Sequence, residues 1–115
     1  MDHFAWEAVP REQLNPSFCR RVFHGSHITV ARLELVEGAV VPLHQHENEQ
    51  ISMVETGSLR FEFPDEQVTV RAGEALRIAP HRPHRVIALE ATAVTDIFAP
   101  VRDDWRRGDD AYLRK

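Results

Sequence analysis

Between Ile28 and Phe98 the chain reads as one short strand after another, and this succession limits the fold more than any other feature. Leu59, Phe61 and Phe63 alternate with Arg60 and Glu62, and Val68 and Val70 alternate with Gln67, Thr69 and Arg71. Side chains along a strand point to opposite faces in turn, so such a run buries one face and wets the other. Further runs rich in apolar and β-branched residues cover 28–35, 39–46, 50–55, 75–78, 85–89 and 93–98. Glu37-Gly38, Thr56-Gly57-Ser58, Pro64-Asp65-Glu66 and Ala72-Gly73 separate them as turns. No amphipathic helix intervenes, so the pattern predicts an all-β protein. A lone small sheet exposes its edges to other chains, whereas a closed or nearly closed double-sheet barrel hides them. The expected organisation is a single domain over 1–115 with a core barrel over about 27–100. Pro10, Asn15 and Pro16 break any long helix before it, which predicts an irregular N-terminal arm over 1–26. Residues 103–115 read as a polar tail, helical or irregular, that Trp105 packs against the barrel.

Composition narrows the function. The net charge is −4 and no basic run is long enough to follow a phosphate backbone, so no nucleic-acid partner is expected. The single Cys19 cannot close an internal disulfide. The first residues, Met1 to Glu7, contain no apolar signal core, and no apolar run reaches membrane length. These features predict a cytoplasmic protein without a membrane partner. Phe4, Trp6, Val9 and Phe18 lie outside the barrel pattern, and covering them against a second copy predicts a homodimer.

The chemistry is concentrated in His44-Gln45-His46-Glu47-Asn48-Glu49-Gln50, answered downstream by Pro80-His81-Arg82-Pro83-His84. Two histidines one residue apart on a strand share a face, so their imidazoles converge inside a barrel. A third histidine from the proline-braced turn completes a cluster. Three imidazoles and one oxygen donor suit a divalent transition metal: Ni, Fe, Mn, Zn or Cu.

These residues also carry a family likeness. Gly38, then His44-Gln45-His46, then Gln50 and Gly57 resemble the first cupin motif, and Gly73 to His84 resembles the second. The likeness implies a double-stranded β-helix, the cupin jelly-roll barrel, with His44, His46, Gln50 and His84 as metal ligands. Gln50 stands where most cupins carry a glutamate, so the site would be more positive than usual and favour an anionic ligand. The second motif lacks the usual glycine before its histidine and has Ala88 where an asparagine is common. Downstream, Asp96 to Trp105 resembles the Asp-x-Phe-Ser-Pro-x-Arg-x-Asp ending of small KdgF-like cupins. In that family the corresponding residues line the active site, which maps onto Asp96, Phe98 and Arg102. Those cupins open unsaturated monouronates to linear 5-keto uronates.

Competing roles attach to several positions. Glu49 is the alternative to Gln50 as ligand, or a neighbour that orients an imidazole. Asp96 and Phe98 share strand parity and face the interior together. Arg102 either forms a structural ion pair with Asp96 or grips a substrate carboxylate while Asp96 moves a proton. Phe98 also reads as an ordinary core aromatic. His24, His27 and His81 read as exposed or turn residues, and Arg20-Arg21 and Arg106-Arg107 as solvated surface. The leading expectation is a metal-dependent enzyme acting on a small anionic sugar-derived substrate, of the uronate-opening kind. A metal-dependent dioxygenase and a non-catalytic module binding a small sugar or organic acid are the alternatives.

Overall fold

The computed structural model describes all 115 residues. Ten strands form two antiparallel sheets. They are β1 (Glu12–Asn15), β2 (Phe18–His24), β3 (Thr29–Leu35), β4 (Val40–His44), β5 (Glu49–Thr56), β6 (Ser58–Glu62), β7 (Gln67–Arg71), β8 (Ala75–Ile78), β9 (His84–Ala88) and β10 (Thr92–Ala99). The six-stranded sheet runs β1-β2-β3-β10-β5-β8 and the four-stranded sheet β4-β9-β6-β7. Only short helical pieces occur: a one-turn helix α1 (Asp103–Arg106) and 3-10 turns at Trp6–Ala8 and Ala111–Leu113. The architecture is the cupin jelly roll.

The alternation read from the sequence is the core. β3 buries Thr29, Ala31, Leu33 and Leu35, β6 buries Leu59 and Phe61, and β10 buries Val94 and Phe98 between the sheets. Gly57, in the tight turn from β5 to β6, has φ +84, and a Cβ there would stand 2.3 Å from the Ala91 carbonyl oxygen. No other residue fits that turn without moving the chain.

The N-terminal arm needs correcting. Residues 12–24 are not irregular: β1 and β2 extend the larger sheet, with β2 paired to β3 from Phe18↔Leu35 to His24↔Thr29. Pro10, Asn15 and Pro16 forbid a helix, but Asn15-Pro16 serves as a hairpin turn, where the Asn15 side-chain oxygen accepts the Ser17 amide at 2.7 Å. The strand pattern was hidden by Arg20, a charged residue on the buried face of β2 that is only 2% exposed. Phe18 is likewise in the core, so it is not free to cover a partner.

Candidate metal centre

β4 ends at His44, and His46 lies beyond it in the loop 45–48. Shared strand parity therefore does not bring these two rings together, contrary to the expectation from their spacing. The loop does. His81 donates its amide to the His46 carbonyl at 2.7 Å, and buried Asn48 donates from its side chain to the Pro100 carbonyl at 2.6 Å. This holds the loop against the strand ends. His84 opens β9 and pairs directly with His44 across the small sheet. The ring centroids lie 4.3 Å (His44–His84), 5.2 Å (His46–His84) and 5.7 Å (His44–His46) apart. One ring nitrogen from each lies within 4.8 Å of the others.

Each ring is oriented by a backbone carbonyl. Nδ1 of His44 meets Pro42 O at 2.7 Å, Nδ1 of His46 meets Asn48 O at 3.0 Å, and Nδ1 of His84 meets Arg82 O at 2.8 Å. A carbonyl only accepts, so Nδ1 carries the proton and Nε2 presents a lone pair. Burial disfavours the imidazolium in all three. It holds His44 down to about 3, helped by His84, and His46 down to about 4, helped by Arg102. His84 is lowered by burial and by Arg102. Neutral imidazoles with bonded Nδ1–H groups are what metal ligation requires.

Gln50 supplies the fit test. Its Oε1 lies 3.0 Å from His46 Nε2, while its amide nitrogen donates to Ser52 Oγ at 2.9 Å. Ser52 in turn donates to Asp96 Oδ1 at 2.6 Å. This chain fixes the amide with oxygen toward the imidazole, so two lone pairs face each other across 3.0 Å. A cation between such donors relieves that repulsion. The residues present therefore fit one metal ion at His44, His46 and His84, with Gln50 as an oxygen donor beside them.

Glu49 does not belong to this cluster. On β5 it points away from Gln50 and forms an ion pair with Arg77 on the outer face. Asp96 faces inward between Ala31 and Ser52 and lines a cavity of about 490 Å³, which includes the space at its mouth. Burial pushes the Asp96 carboxyl up to about 6, against the opposing pull of Ser52 and Arg102. Phe98 is both a core aromatic and part of the cavity wall, with its ring 5.6 Å from His46. Arg102 lines the same cavity but does not pair with Asp96, which corrects the structural ion-pair reading. Its Nε and Nη2 are bonded to Asp104 at 3.0 and 2.8 Å, and the guanidinium lies over Trp105 and Phe98. Asp104, only two residues along the chain on α1, reaches it more directly than a group on the facing β10.

His24, His27 and His81 lie outside the centre. His24 bonds Thr29 Oγ1 at 2.8 Å, His27 is exposed, and exposed His81 adopts a left-handed φ of 64 in the proline turn. Three contributors were not foreseen: Ser52, Asp104 and Tyr112. Ser52 shares β5 parity with Gln50, a signal that was readable. Asp104 follows Arg102 at a distance side chains can span. Tyr112, whose ring lies 4.7 Å from His44 and whose hydroxyl meets Arg102, comes from the tail and had no periodic signal.

Comparison with known proteins agrees with this geometry. The family model of the cupin domain matches residues 31–98. No curated protein matches the chain. Among solved structures, KdgF from Halomonas sp. superposes with a TM-score of 0.84 at 29% identity, covering 90% of this chain and 99% of that one. An RmlC-like cupin from Shewanella frigidimarina gives 0.83 at 21% identity, covering 91% and 96%. Oxalate decarboxylase from Bacillus subtilis gives 0.78 at 19% identity, with 86% of this chain matching 29% of that one, a likeness of fold alone. With the jelly roll, the inward-facing histidines and a domain match over more than half its length, the chain belongs to the cupin family.

Proposed function

We propose that this cupin is a metal-dependent enzyme that opens unsaturated monouronates to linear 5-keto uronates. The observation that carries the reading is Asp96. It is a cavity-facing carboxyl with a pKa near 6, one hydrogen-bond chain (Gln50, Ser52) away from the histidine cluster. A group poised near neutral pH both takes and gives protons, and perturbed carboxyls in clefts concentrate at functional sites. The likeness to KdgF from Halomonas sp. supports the same reading.

The net change is an isomerisation. The hemiacetal hydroxyl loses its proton, the ring C–O bond breaks, and the enolate left behind gains a proton at carbon 4 to become the ketone. Asp96 is the group for these transfers, and Arg102 holds the substrate carboxylate. A divalent metal held by His44, His46, His84 and Gln50 would act as a Lewis acid on substrate oxygen. Phe98 supplies an apolar wall that keeps water from the reacting face. The test is turnover of an unsaturated monouronate, followed by loss of the ultraviolet absorbance of its double bond. Metal-loaded protein should accelerate this loss well above the spontaneous rate, and an unchanged rate removes the proposal.

The homodimer is proposed on a related ground. Phe23, Val30, Ile97 and Ile51 stand in register as an apolar row across the outer face of the six-stranded sheet. Phe4 stacks on Phe23 at 4.5 Å and extends the row. Arg32–Glu55 and Arg77–Glu49 flank it, so a two-fold copy offers both signs of charge at its rim. Light scattering at micromolar concentration should give twice the chain mass, and a monomer mass would contradict it.

A further inference from the structure

Tyr112 is the only tyrosine of the chain, and its oxygen accepts every hydrogen bond it makes. Arg102 donates to it from Nη2 at 3.0 Å and Trp105 from Nε1 at 3.4 Å. A phenol oxygen has two lone pairs and one hydrogen. Both lone pairs are engaged, so the hydrogen points away from the two donors, and no acceptor of the protein receives it. Tyr112 lines the cavity, with its ring against His44. Arg102 is in the same condition: Nε and Nη2 are bonded, while Nη1 has no protein acceptor and the residue borders the same cavity.

Two donors linked by the Nη2 to Oη contact are therefore free on residues that line the cavity with His44. They match the two oxygens of one carboxylate, the group for which paired planar donors are specific. The charge balance agrees, because the ligands His44, His46, His84 and Gln50 are neutral and a divalent cation among them leaves the pocket positive. The segment bearing Tyr112 is held rigidly. Asp110 is 1% exposed and pairs with Arg20 at 2.9 Å, and Asn15 donates to the Leu113 carbonyl at 3.0 Å. A donor fixed in this way loses little entropy on binding.

We propose that Tyr112 is a ligand-binding residue of the cavity, donating its hydroxyl hydrogen to one carboxylate oxygen of a small anionic ligand while Arg102 Nη1 takes the other. The inference rests on the reading of this cavity as a pocket for a small anion, and adds a residue from the C-terminal segment to it.

The test uses the single tyrosine. Replacing it biosynthetically with 3-fluorotyrosine gives one fluorine resonance. The protein is loaded with zinc and titrated with D-galacturonate, with D-galactose as the neutral counterpart. The resonance should shift saturably with galacturonate and stay still with galactose. By calorimetry, Tyr112→Phe should bind galacturonate about tenfold more weakly, the scale of one hydrogen bond to a charged group, with metal content unchanged. Galacturonate that binds without moving the resonance overturns the proposal. So does wild-type affinity in Tyr112→Phe, or no binding at tens of millimolar. If Tyr112→Phe fails to fold, the fluorine titration decides alone. Turnover of unsaturated monouronates with a silent fluorine signal overturns the role of Tyr112 only. A galacturonate-dependent shift without turnover overturns the enzyme reading only.

Discussion

Trp105 stands between two arginines that are equally buried and differently used. Arg20 lies 4.5 Å from its ring and Arg102 lies 4.1 Å from it, and the two are 2% and 1% exposed. Arg20 is enclosed by acids. Glu12 takes Nε and Nη2 at 3.2 Å, Asp110 takes Nη2 at 2.9 Å, and Arg114 bonds Asp110 from the far side. Its Nη1 has no partner but is sealed from solvent, so it is a cost of closing the clasp. Arg102 has one carboxylate and one phenol, and its unused donor belongs to a residue that lines the cavity. The same buried charge is a clasp where acids close around it and a binding group where an edge is left toward a pocket. Burial alone does not separate the two.

The largest effect is expected on the clasp side. Arg20→Ala strands buried Asp110 with only half-exposed Arg114 for company. Removing one partner of a buried pair costs about 3–5 kcal/mol, read from denaturant unfolding. Zinc content should stay at the wild-type value, because Arg20 bonds only Glu12 and Asp110 and touches neither the ligand histidines nor Gln50. Loss of zinc in step with stability would break the comparison, because the clasp would then also be part of the site.

On the cavity side, Asp96→Asn should change stability in the opposite direction. Burial raises the folded Asp96 pKa from the ordinary 3.8 to about 6, so the folded protein keeps a proton that the unfolded chain releases in that window. Its carboxyl therefore costs stability as pH rises from about 4 to about 6, and the cost remains above that. Asparagine carries no such cost. Metal-free Asp96→Asn should match wild type near pH 3 and exceed it near pH 8 by up to about 3 kcal/mol. The lowered histidines lose stability on acidification instead, but they are common to both proteins and cancel in the difference. Turnover of the unsaturated monouronate should fall about a hundredfold. Unchanged turnover in a more stable variant would leave Asp96 without a catalytic role.

Arg102→Ala should be milder for the fold than Arg20→Ala, since the Asp104 it leaves behind is 30% exposed and can hydrate. Its effect belongs to binding: KM should rise about tenfold or more with kcat nearly unchanged, because the lost contact serves ground state and transition state alike. A fall in kcat alone would move Arg102 from holding substrate to stabilising the transition state.

What the sequence revealed of this contrast follows its physics. The strands were legible because β3, β6, β7 and β10 alternate, and β2 was missed because Arg20 occupies a core position. The histidines and Gln50 were legible from spacing, although the loop 45–48 rather than strand parity converges His44 and His46. Asp96 was legible from its parity with Phe98. Its true partner was not, because β5 brings Ser52 beside it through a pairing between residues 44 positions apart. The tail reads as a polar segment that Trp105 alone packs against the barrel, yet Leu113 is also in the core and Asp110 is buried. A carboxylate buried against an arginine 90 positions away leaves no trace in local pattern.

The smallest effect is expected at a third arginine, which places the comparison at the solvent end. Arg77 pairs with Glu49 with side chains 61% and 43% exposed. Water already solvates both groups, so the pair gains little from proximity and loses side-chain entropy in forming. Glu49→Gln should shift unfolding by less than about 1 kcal/mol, and by less still at high salt. Glu49 also precedes Gln50 on β5 and so faces the opposite side of the sheet, away from the imidazoles. Metal affinity measured by competition with a chelator should therefore be unchanged in Glu49→Gln, whereas Gln50→Ala should weaken it by removing the oxygen 3.0 Å from His46. Weakened metal binding in Glu49→Gln would mean that the outer ion pair positions β5 for the ligands, and would bring a solvent-exposed arginine into the class that Arg102 now represents.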